Sequence, residues 1–183
     1  QAQEVVGEGV PLLYTNAGVD LGDSVVYSYI FAVDDEAPFG GPWRMRAGRA
    51  KPAEDEVVID GDLAKRYGLG LGDQVNILGA DLTIAGLSEE TFGIATSITF
   101  VNQQTLAAMM GVSPQSASYV LVSPNQSGDA EQLVTELEAA VPGVNWLSKT
   151  GFIASDQEMI RQMGADVIRA MYVIAYVVGM LGI

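Results

Sequence analysis

The chain has 183 residues and a formal net charge of −14, from 9 basic and 23 acidic residues. A surface of that sign repels phosphate backbones, which argues against nucleic acid as a partner. The chain holds no cysteine and no histidine, which excludes disulfides, thiolate nucleophiles, histidine-based catalytic triads and the usual zinc sites.

The N-terminal part of the chain predicts two strands followed by an irregular crossing. β-Branched and aromatic residues favour strands over residues 10–14 and 24–33. The turn between them is marked by Gly18, Gly22 and Asp23. Residues 34–52 are rich in glycine and proline, which predicts an irregular stretch leading from one lobe into another.

A second lobe, mainly β, is predicted from about residue 43 to residue 96. Its elements in order are a strand at 56–60, a short helix at 62–67, a turn at 70–73, and strands at 74–78 and 82–87 joined by a hairpin loop at 79–81. Asp60 or Gly61 is expected to cap the N-terminus of the helix, and Gly68 its C-terminus.

The chain then returns to mixed structure. Its predicted elements are a strand at 97–101, a helix at 103–110 capped by Asn102, a strand at 118–123, a helix at 129–140 with an inner stripe of Leu133, Val134 and Leu137, and a strand at 144–147. This alternation beside two N-terminal strands predicts an α+β sheet with helices on one face. The mainly β lobe is then an insertion into that sheet.

The C-terminal segment, residues 155–183, predicts one continuous helix. Ser155 and Glu158 have the spacing of a capping box, and residues 159–169 are amphipathic at helical spacing. From Ala170 to Ile183 the chain carries no charge. A membrane-spanning helix needs about 20 such residues, so this run is interpreted as the beginning of one. The alternative is a buried C-terminal core helix.

Several short stretches together carry a resemblance to a known family. They are Arg46-Ala47-Gly48-Arg49 with Pro52, Glu56-Val57-Val58-Ile59 with Leu63-Ala64, residues 67–75 with the strand 82–86, and residues 97–101 with the helix 103–110. In this order, and with the apolar tail behind them, they resemble the extracytoplasmic core domain of FtsX/MacB-like ABC transporter permeases. The resemblance implies a porter-like mixed α/β subdomain (1–36 and 97–154), an inserted β-rich subdomain (37–96), and a stalk helix running into a transmembrane helix (155–183).

The resemblance also implies a function. The chain is expected to be the non-catalytic extracytoplasmic domain of a permease subunit in the plasma or inner membrane, coupling ATP-driven motion to substrate export or extraction, or to control of a partner. Implied partners are an ATP-binding subunit, a second permease subunit, and membrane lipid at the C-terminal helix; no cofactor is implied. The Gly-x-x-x-x-Gly-Lys-Ser/Thr signature is absent, so ATP hydrolysis is expected on a separate subunit or domain. The alternatives are a membrane-anchored hydrolase using an Asp pair and a single-pass adhesion or scaffold domain.

Two motifs resemble catalytic or phosphate-binding sites, but each has a structural interpretation. Asp60-Gly61-Asp62 offers a carboxylate pair, yet Gly61 stands where aspartic-protease chemistry needs a hydroxyl residue, so helix capping is favoured. The glycine-rich run 68–72 follows a helix and precedes a strand, the reverse of the order in a dinucleotide site. It predicts a turn. No catalytic or cofactor-binding residue is therefore assigned.

Two charged clusters remain. One is Asp34-Asp35-Glu36, with Asp20 or Asp23 as a further oxygen donor, which could bind calcium but lacks EF-hand spacing and is interpreted as a solvated turn. The other comprises Arg44, Arg46 and Arg49. These arginines are expected to pair with carboxylates of the same chain, with lipid head groups as the alternative. No metal ligand is assigned.

Overall fold

A computed structural model describes residues 6–92, 97–124, 129–151 and 172 of the chain. The strands of this part are β1 (Val6–Leu12), β2 (Tyr14–Asp20), β3 (Val25–Val33), β4 (Met45–Gly48), β5 (Glu56–Asp60), β6 (Gln74–Ile77), β7 (Ala80–Ser88), β8 (Ser97–Asn102) and β9 (Tyr119–Pro124). The helices are α1 (Gly61–Arg66), α2 (Gln103–Met110) and α3 (Ala130–Ala140). The predicted mixture of strands and helices is confirmed.

Seven strands form one mixed sheet in the order β4-β7-β5-β8-β3-β2-β6, and β6 also pairs with β7. This second pairing closes β2, β3, β8, β5, β7 and β6 into a ring, with β4 added beside β7. Closure pairs backbone groups that an open sheet leaves at its edges. β1 and β9 form a separate two-stranded sheet.

The closed sheet surrounds an apolar core because alternate residues of each strand point inward. Ile30, Val57, Ile77 and Leu82 are fully buried members of one cluster, drawn from four different strands. Both α1 and α2 contribute to the same cluster; their members are Leu63, Ala64, Leu106 and Ala107. Deleting a fully buried branched side chain from such a core typically costs about 2–5 kcal/mol.

The strand β2 differs from the sequence expectation, which assigned Gly18 to a turn. Gly18 lies inside β2, directly opposite Tyr27 of β3. A Cβ atom at Gly18 would stand 2.6 Å from Cγ1 of Val25. The glycine therefore leaves room for the Val25 side chain of the neighbouring strand, a role that local turn statistics do not distinguish from a true turn. The turn itself is formed near Gly22, whose φ is +94°.

The sheet also differs from the expected division into two subdomains at residues 36 and 96. β3 and β8 come from one expected subdomain and β5 from the other, yet β8 pairs with both β3 and β5. Residues 9–122 form one compact unit, and the described residues among 1–8 and 123–183 belong to a second. The reason is that strand pairing joins segments distant in sequence, and composition along the chain does not report it.

The observed helix caps agree closely with those predicted from the sequence. Asn102 caps α2, whose predicted bounds are confirmed, and its side-chain oxygen accepts from the backbone N–H of Gln104 at 2.8 Å. Asp129 caps α3 rather than forming its first turn. Leu133 and Leu137 of the predicted inner stripe are buried.

Two further predictions concern residues 144–147 and residues 155–183. Residues 144–147 were expected to form a strand, and the structure assigns them no strand pairing, so that prediction is wrong. The apolar side chains of this segment are spaced as in a strand, but the segment has no partner strand among the described residues. Val144 and Leu147 are about half exposed. The stalk and transmembrane prediction for 155–183 lies outside the described residues apart from Tyr172. Within the described residues, helices long and apolar enough to cross a bilayer are absent.

The contact between β4 and β7 generates a test of packing. A methyl group at Gly86 would collide with the backbone carbonyl oxygen of Arg49, which a side-chain rotation cannot relieve. We expect Gly86→Ala to lower the free energy of unfolding by about 2 kcal/mol. Gly70→Ala is the matched control, because its new methyl would find its nearest neighbour at 3.9 Å. Urea unfolding of both variants measures the difference, and equal midpoints would contradict this account of the β4–β7 contact.

Candidate functional site

The carboxylate of Asp60 lies where β5 ends and α1 begins. One oxygen, Oδ1, accepts from the backbone N–H of Asp62 at 2.8 Å and of Leu63 at 3.1 Å. These are two of the N–H groups that the first turn of a helix leaves without an intrahelical partner. The predicted capping role of Asp60 is therefore confirmed.

The second oxygen of Asp60 binds a residue far away in sequence. Oδ2 accepts from the backbone N–H of Thr91 at 3.0 Å and from its hydroxyl at 2.7 Å. The Thr91 hydroxyl also lies 2.6 Å from that of Ser88, whose own hydroxyl donates to the carbonyl of Ile59. With four hydrogen bonds and 2% relative exposure, the Asp60 carboxylate is occupied on both oxygens.

Asp62 does not share this environment. Its Oδ1 accepts from Nη1 of Arg46 at 2.8 Å, and its side chain is 67% exposed. An aspartic-protease pair needs two carboxylates that share one proton. Here Asp60 is buried against backbone donors and Asp62 is paired at the surface, so the arrangement favours a structural role over the hydrolase alternative.

The three arginines of the sequence cluster all bind carboxylates within the unit formed by residues 9–122. Arg44 pairs with Glu90 at 2.5 Å. Arg46 reaches Glu89 at 3.3 Å as well as Asp62. Arg49 pairs with Glu56. The predicted internal pairing is confirmed, and it joins β4 and the segments beside it to the ends of β5 and β7.

Glu56 is held by two donors. Besides the Arg49 guanidinium, its Oε2 accepts from the backbone N–H of Ala53 at 2.9 Å. The hydrogen bond to Arg49 is the main reason that the pKa of the Glu56 carboxyl lies below its usual value, and the Ala53 N–H acts in the same direction. Partial burial opposes them. The charged carboxylate is therefore the form that the folded protein favours.

The candidate calcium cluster is used for turns. Oδ1 of Asp34 accepts from the backbone N–H of Glu36 at 2.9 Å, and Oδ1 of Asp20 accepts from that of Gly22 at 2.9 Å. These are Asx-type turn contacts. Among the described residues, acidic, histidine and cysteine side chains nowhere gather in threes that could hold a metal ion.

The glycine-rich run after α1 also forms a turn. The N–H of Leu69 donates to the carbonyl of Ala64 at 2.9 Å, which with the left-handed Gly68 makes a Schellman ending of the helix. The next N–H groups are used too: that of Gly70 binds Oδ2 of Asp73, and that of Gly72 binds the carbonyl of Ile84. They are not directed at a phosphate.

Two polar clusters have no counterpart in the sequence predictions. Ser28, Ser97 and Thr99 are fully buried inside the closed sheet, with hydroxyl separations of 2.7 and 2.9 Å. In the other compact unit, Glu131 accepts from the hydroxyls of Ser148 at 2.7 Å and Thr150 at 2.8 Å. Those bonds lower the pKa of the Glu131 carboxyl. Each cluster joins strands or segments remote in sequence, so local spacing holds no signal for it.

The fold and these contacts define a mixed α/β domain whose most conspicuous carboxylates serve its architecture. The MacB-like periplasmic core domain family matches residues 2–140. The chain therefore belongs to the MacB-like periplasmic core domain family, which assigns it to the extracytoplasmic side of a membrane. No curated protein matches the sequence.

Solved structures with a similar fold are distant in sequence. The periplasmic region of MacB from Actinobacillus actinomycetemcomitans has a TM-score of 0.55 and 13% identity, with 75% of this chain and 69% of that chain covered. The extracellular domain of the noncanonic ABC-type transporter YknZ from Gram-positive bacteria has a TM-score of 0.57 and 14% identity, covering 75% of this chain and 77% of that one. At such identities the likeness establishes the fold.

Replacing the buried carboxylate tests its structural role. Asp60→Asn retains an oxygen for the α1 cap but turns an amide toward Thr91, leaving the buried Thr91 N–H without an acceptor. We expect a loss of about 2 kcal/mol in the free energy of unfolding, measured as a lower urea midpoint. The exposed Asp62→Asn is the control and should change stability by less than about 1 kcal/mol. Equal effects of the two substitutions would contradict the role assigned to Asp60.

The Glu56 pair predicts a pH dependence of stability. Because the folded pKa is depressed, the pair stabilises fully above the pKa of the unfolded glutamate, usually about 4.5, and this contribution is lost as pH falls through the lower folded pKa. We expect wild type to exceed Glu56→Gln in unfolding free energy at pH 7, with the gap narrowing as pH falls below about 4.5. Glu54→Gln, at an exposed position two residues earlier, is the control. A gap that stays constant with pH would refute the role of charge.

Proposed function

We propose that the chain is the extracytoplasmic domain of an ABC transporter permease, and that it couples ATP-driven motion to substrate export or extraction, or to control of a partner. The observation that carries this proposal is the family match over residues 2–140. The similar fold of domains from MacB and YknZ, the latter named as an ABC-type transporter, supports it.

The contacts within residues 9–122 favour a mechanical role. A domain that transmits motion must move as a rigid body, and this unit has a closed sheet, a buried carboxylate with four hydrogen bonds, and arginines that join β4 to its neighbours. The hydrolase alternative requires a carboxylate that a substrate can reach. Asp60 is 2% exposed and saturated, which argues against that alternative.

The proposal includes partners and a membrane connection. An ATP-binding subunit or domain would supply hydrolysis, and a second permease subunit would complete the transporter. Residues 155–183 would form the stalk and enter the bilayer, where the uncharged run from Ala170 would contact lipid. There is no proline after Pro142, so a continuous helix is compatible with this segment.

Coupling through the stalk can be measured without knowing the substrate. The parent permease is reconstituted with its ATP-binding subunit. One fluorophore is attached at Glu54→Cys, an exposed position in a chain that contains no native cysteine. A second fluorophore is attached to the ATP-binding subunit. We expect ATP with vanadate to shift the energy-transfer distribution. Four glycines inserted at Gly164 should abolish the shift while ATP hydrolysis continues, because glycine breaks helix rigidity.

Four alanines at the same position are the matched control, since they lengthen the segment equally but preserve helix propensity. The alanine variant should retain an ATP-dependent shift. An unchanged shift in the glycine variant would argue against the stalk as the coupling element. If the parent protein does not associate with an ATP-binding subunit, the transporter assignment itself fails and the adhesion or scaffold alternative gains support.

A further inference from the structure

The outward face of β3 exposes large side chains that the core does not use. Ile30 and Ala32 point inward and are buried. Val25, Tyr27 and Tyr29 alternate with inward positions, and their relative exposures are 61%, 68% and 37%. Isolated exposed apolar residues are common on proteins, but neighbours on one sheet face mark interaction surfaces.

Two further tyrosines extend this surface. The ring of Tyr14 lies 5.9 Å from that of Tyr29 and 6.0 Å from that of Tyr119, measured between centroids. Tyr119 is 53% exposed. We call Tyr14, Tyr27, Tyr29 and Tyr119 the tyrosine face. Tyrosine is enriched at protein interfaces because a rigid, amphipathic ring gives contact area at low entropic cost.

Carboxylates continue the same outward surface. In the strand register Asp20 lies opposite Val25 and also opposite Asn76, and Asn76 lies opposite Asp81. Directly paired residues of adjacent strands point to the same side of a sheet. Asp20 and Asp81 are both exposed, and the Asn76 amide donates to Oδ1 of Asp81 at 2.7 Å. The tyrosine face is therefore bordered by negative charge.

Positive charge is absent from the strands that form this surface. Residues 1–43 and 67–148 contain no lysine or arginine. The arginines at 44, 46 and 49 are engaged with carboxylates, and the guanidinium of Arg66 lies 4.8 Å from the ring centroid of Phe92. A second copy of the chain, with a net charge of −14, would bring the same sign to the contact. Charge complementarity points to a cationic occupant.

We propose that the tyrosine face is a docking surface for an arginine-rich segment of another protein. Guanidinium groups would stack on the exposed rings of Tyr27 and Tyr29, while Asp20 and Asp81 would pair with neighbouring guanidinium groups. Arginine fits better than lysine because its planar group stacks on aromatic rings and is less strongly hydrated. The inference goes beyond the transporter assignment and does not depend on it.

Binding is tested on the full 183-residue chain in mild detergent, with a fluorescent hexa-arginine peptide as the probe and anisotropy as the measurement. We expect hexa-arginine to bind several-fold more tightly than hexa-lysine. The double variant Tyr27→Ala, Tyr29→Ala should weaken hexa-arginine binding about tenfold, and Asp20→Asn should weaken it several-fold. Replacing both tyrosines by phenylalanine keeps the rings and should leave binding close to that of wild type.

Glu54→Gln makes the same change in net charge outside the tyrosine face and should leave binding unchanged. Circular dichroism checks that each variant is folded, and Tyr27→Ala alone, at the most exposed ring of the tyrosine face, replaces the double variant if that one unfolds. Wild-type affinity in the folded alanine variants, or equal losses in Asp20→Asn and Glu54→Gln, would overturn the proposal. So would undetectable binding of hexa-arginine at low salt. Self-association or binding to phosphatidylcholine vesicles that the alanine variants abolish would identify a second copy or lipid as the occupant instead.

Discussion

The pairing of β6 with both β2 and β7 is the constraint on which the larger compact unit depends. It closes six of the seven strands of the sheet into a ring, so that each of these strands has a defined inward and outward side. The inward positions supply Ile30, Ile77 and Leu82 to one core, and α1 and α2 add to it. The outward positions carry the tyrosines and the bordering carboxylates. One register, set by pairing across the whole sheet, therefore determines both the core and the surface.

A closed sheet still has to accommodate polar groups where its strands end, and Asp60 shows how this is done. Its carboxylate caps α1 with one oxygen and binds Thr91 with the other, so a charge at 2% exposure has all its strong acceptor positions used. Burial of an unpaired carboxylate would be prohibitive, whereas a carboxylate bound by four donors is tolerated. The same residue looks like half of a catalytic pair in the sequence. Its contacts explain why capping was the better interpretation.

The sequence predicted those features that depend on neighbouring residues. The caps at Asp60 and Asn102, the bounds of α2 and the turn after α1 all follow from side chains within a few positions of one another. The missed features depend on distant partners. Gly18 is typical of a turn in the sequence but lies opposite Tyr27 of a neighbouring strand, Thr91 is 31 residues from Asp60, and residues 144–147 have a strand pattern without a strand to pair with. Which segments pair over such distances is determined by the strand register of the closed sheet. Hydrophobic periodicity alone does not specify that register.

The distribution of charge connects this architecture to recognition. The basic residues of the larger unit are confined to positions 44–66, where Arg44, Arg46 and Arg49 bind carboxylates around β4, β5 and β7. These ion pairs within the chain neutralise arginine charge that would otherwise offset the negative charge of the surface. The strands farther along the sheet, β2, β3 and β6, are left with carboxylates and exposed rings and no cation of their own. An acidic surface that also exposes aromatic rings favours a planar cation over a compact one, because a guanidinium group can both stack on a ring and pair with a carboxylate.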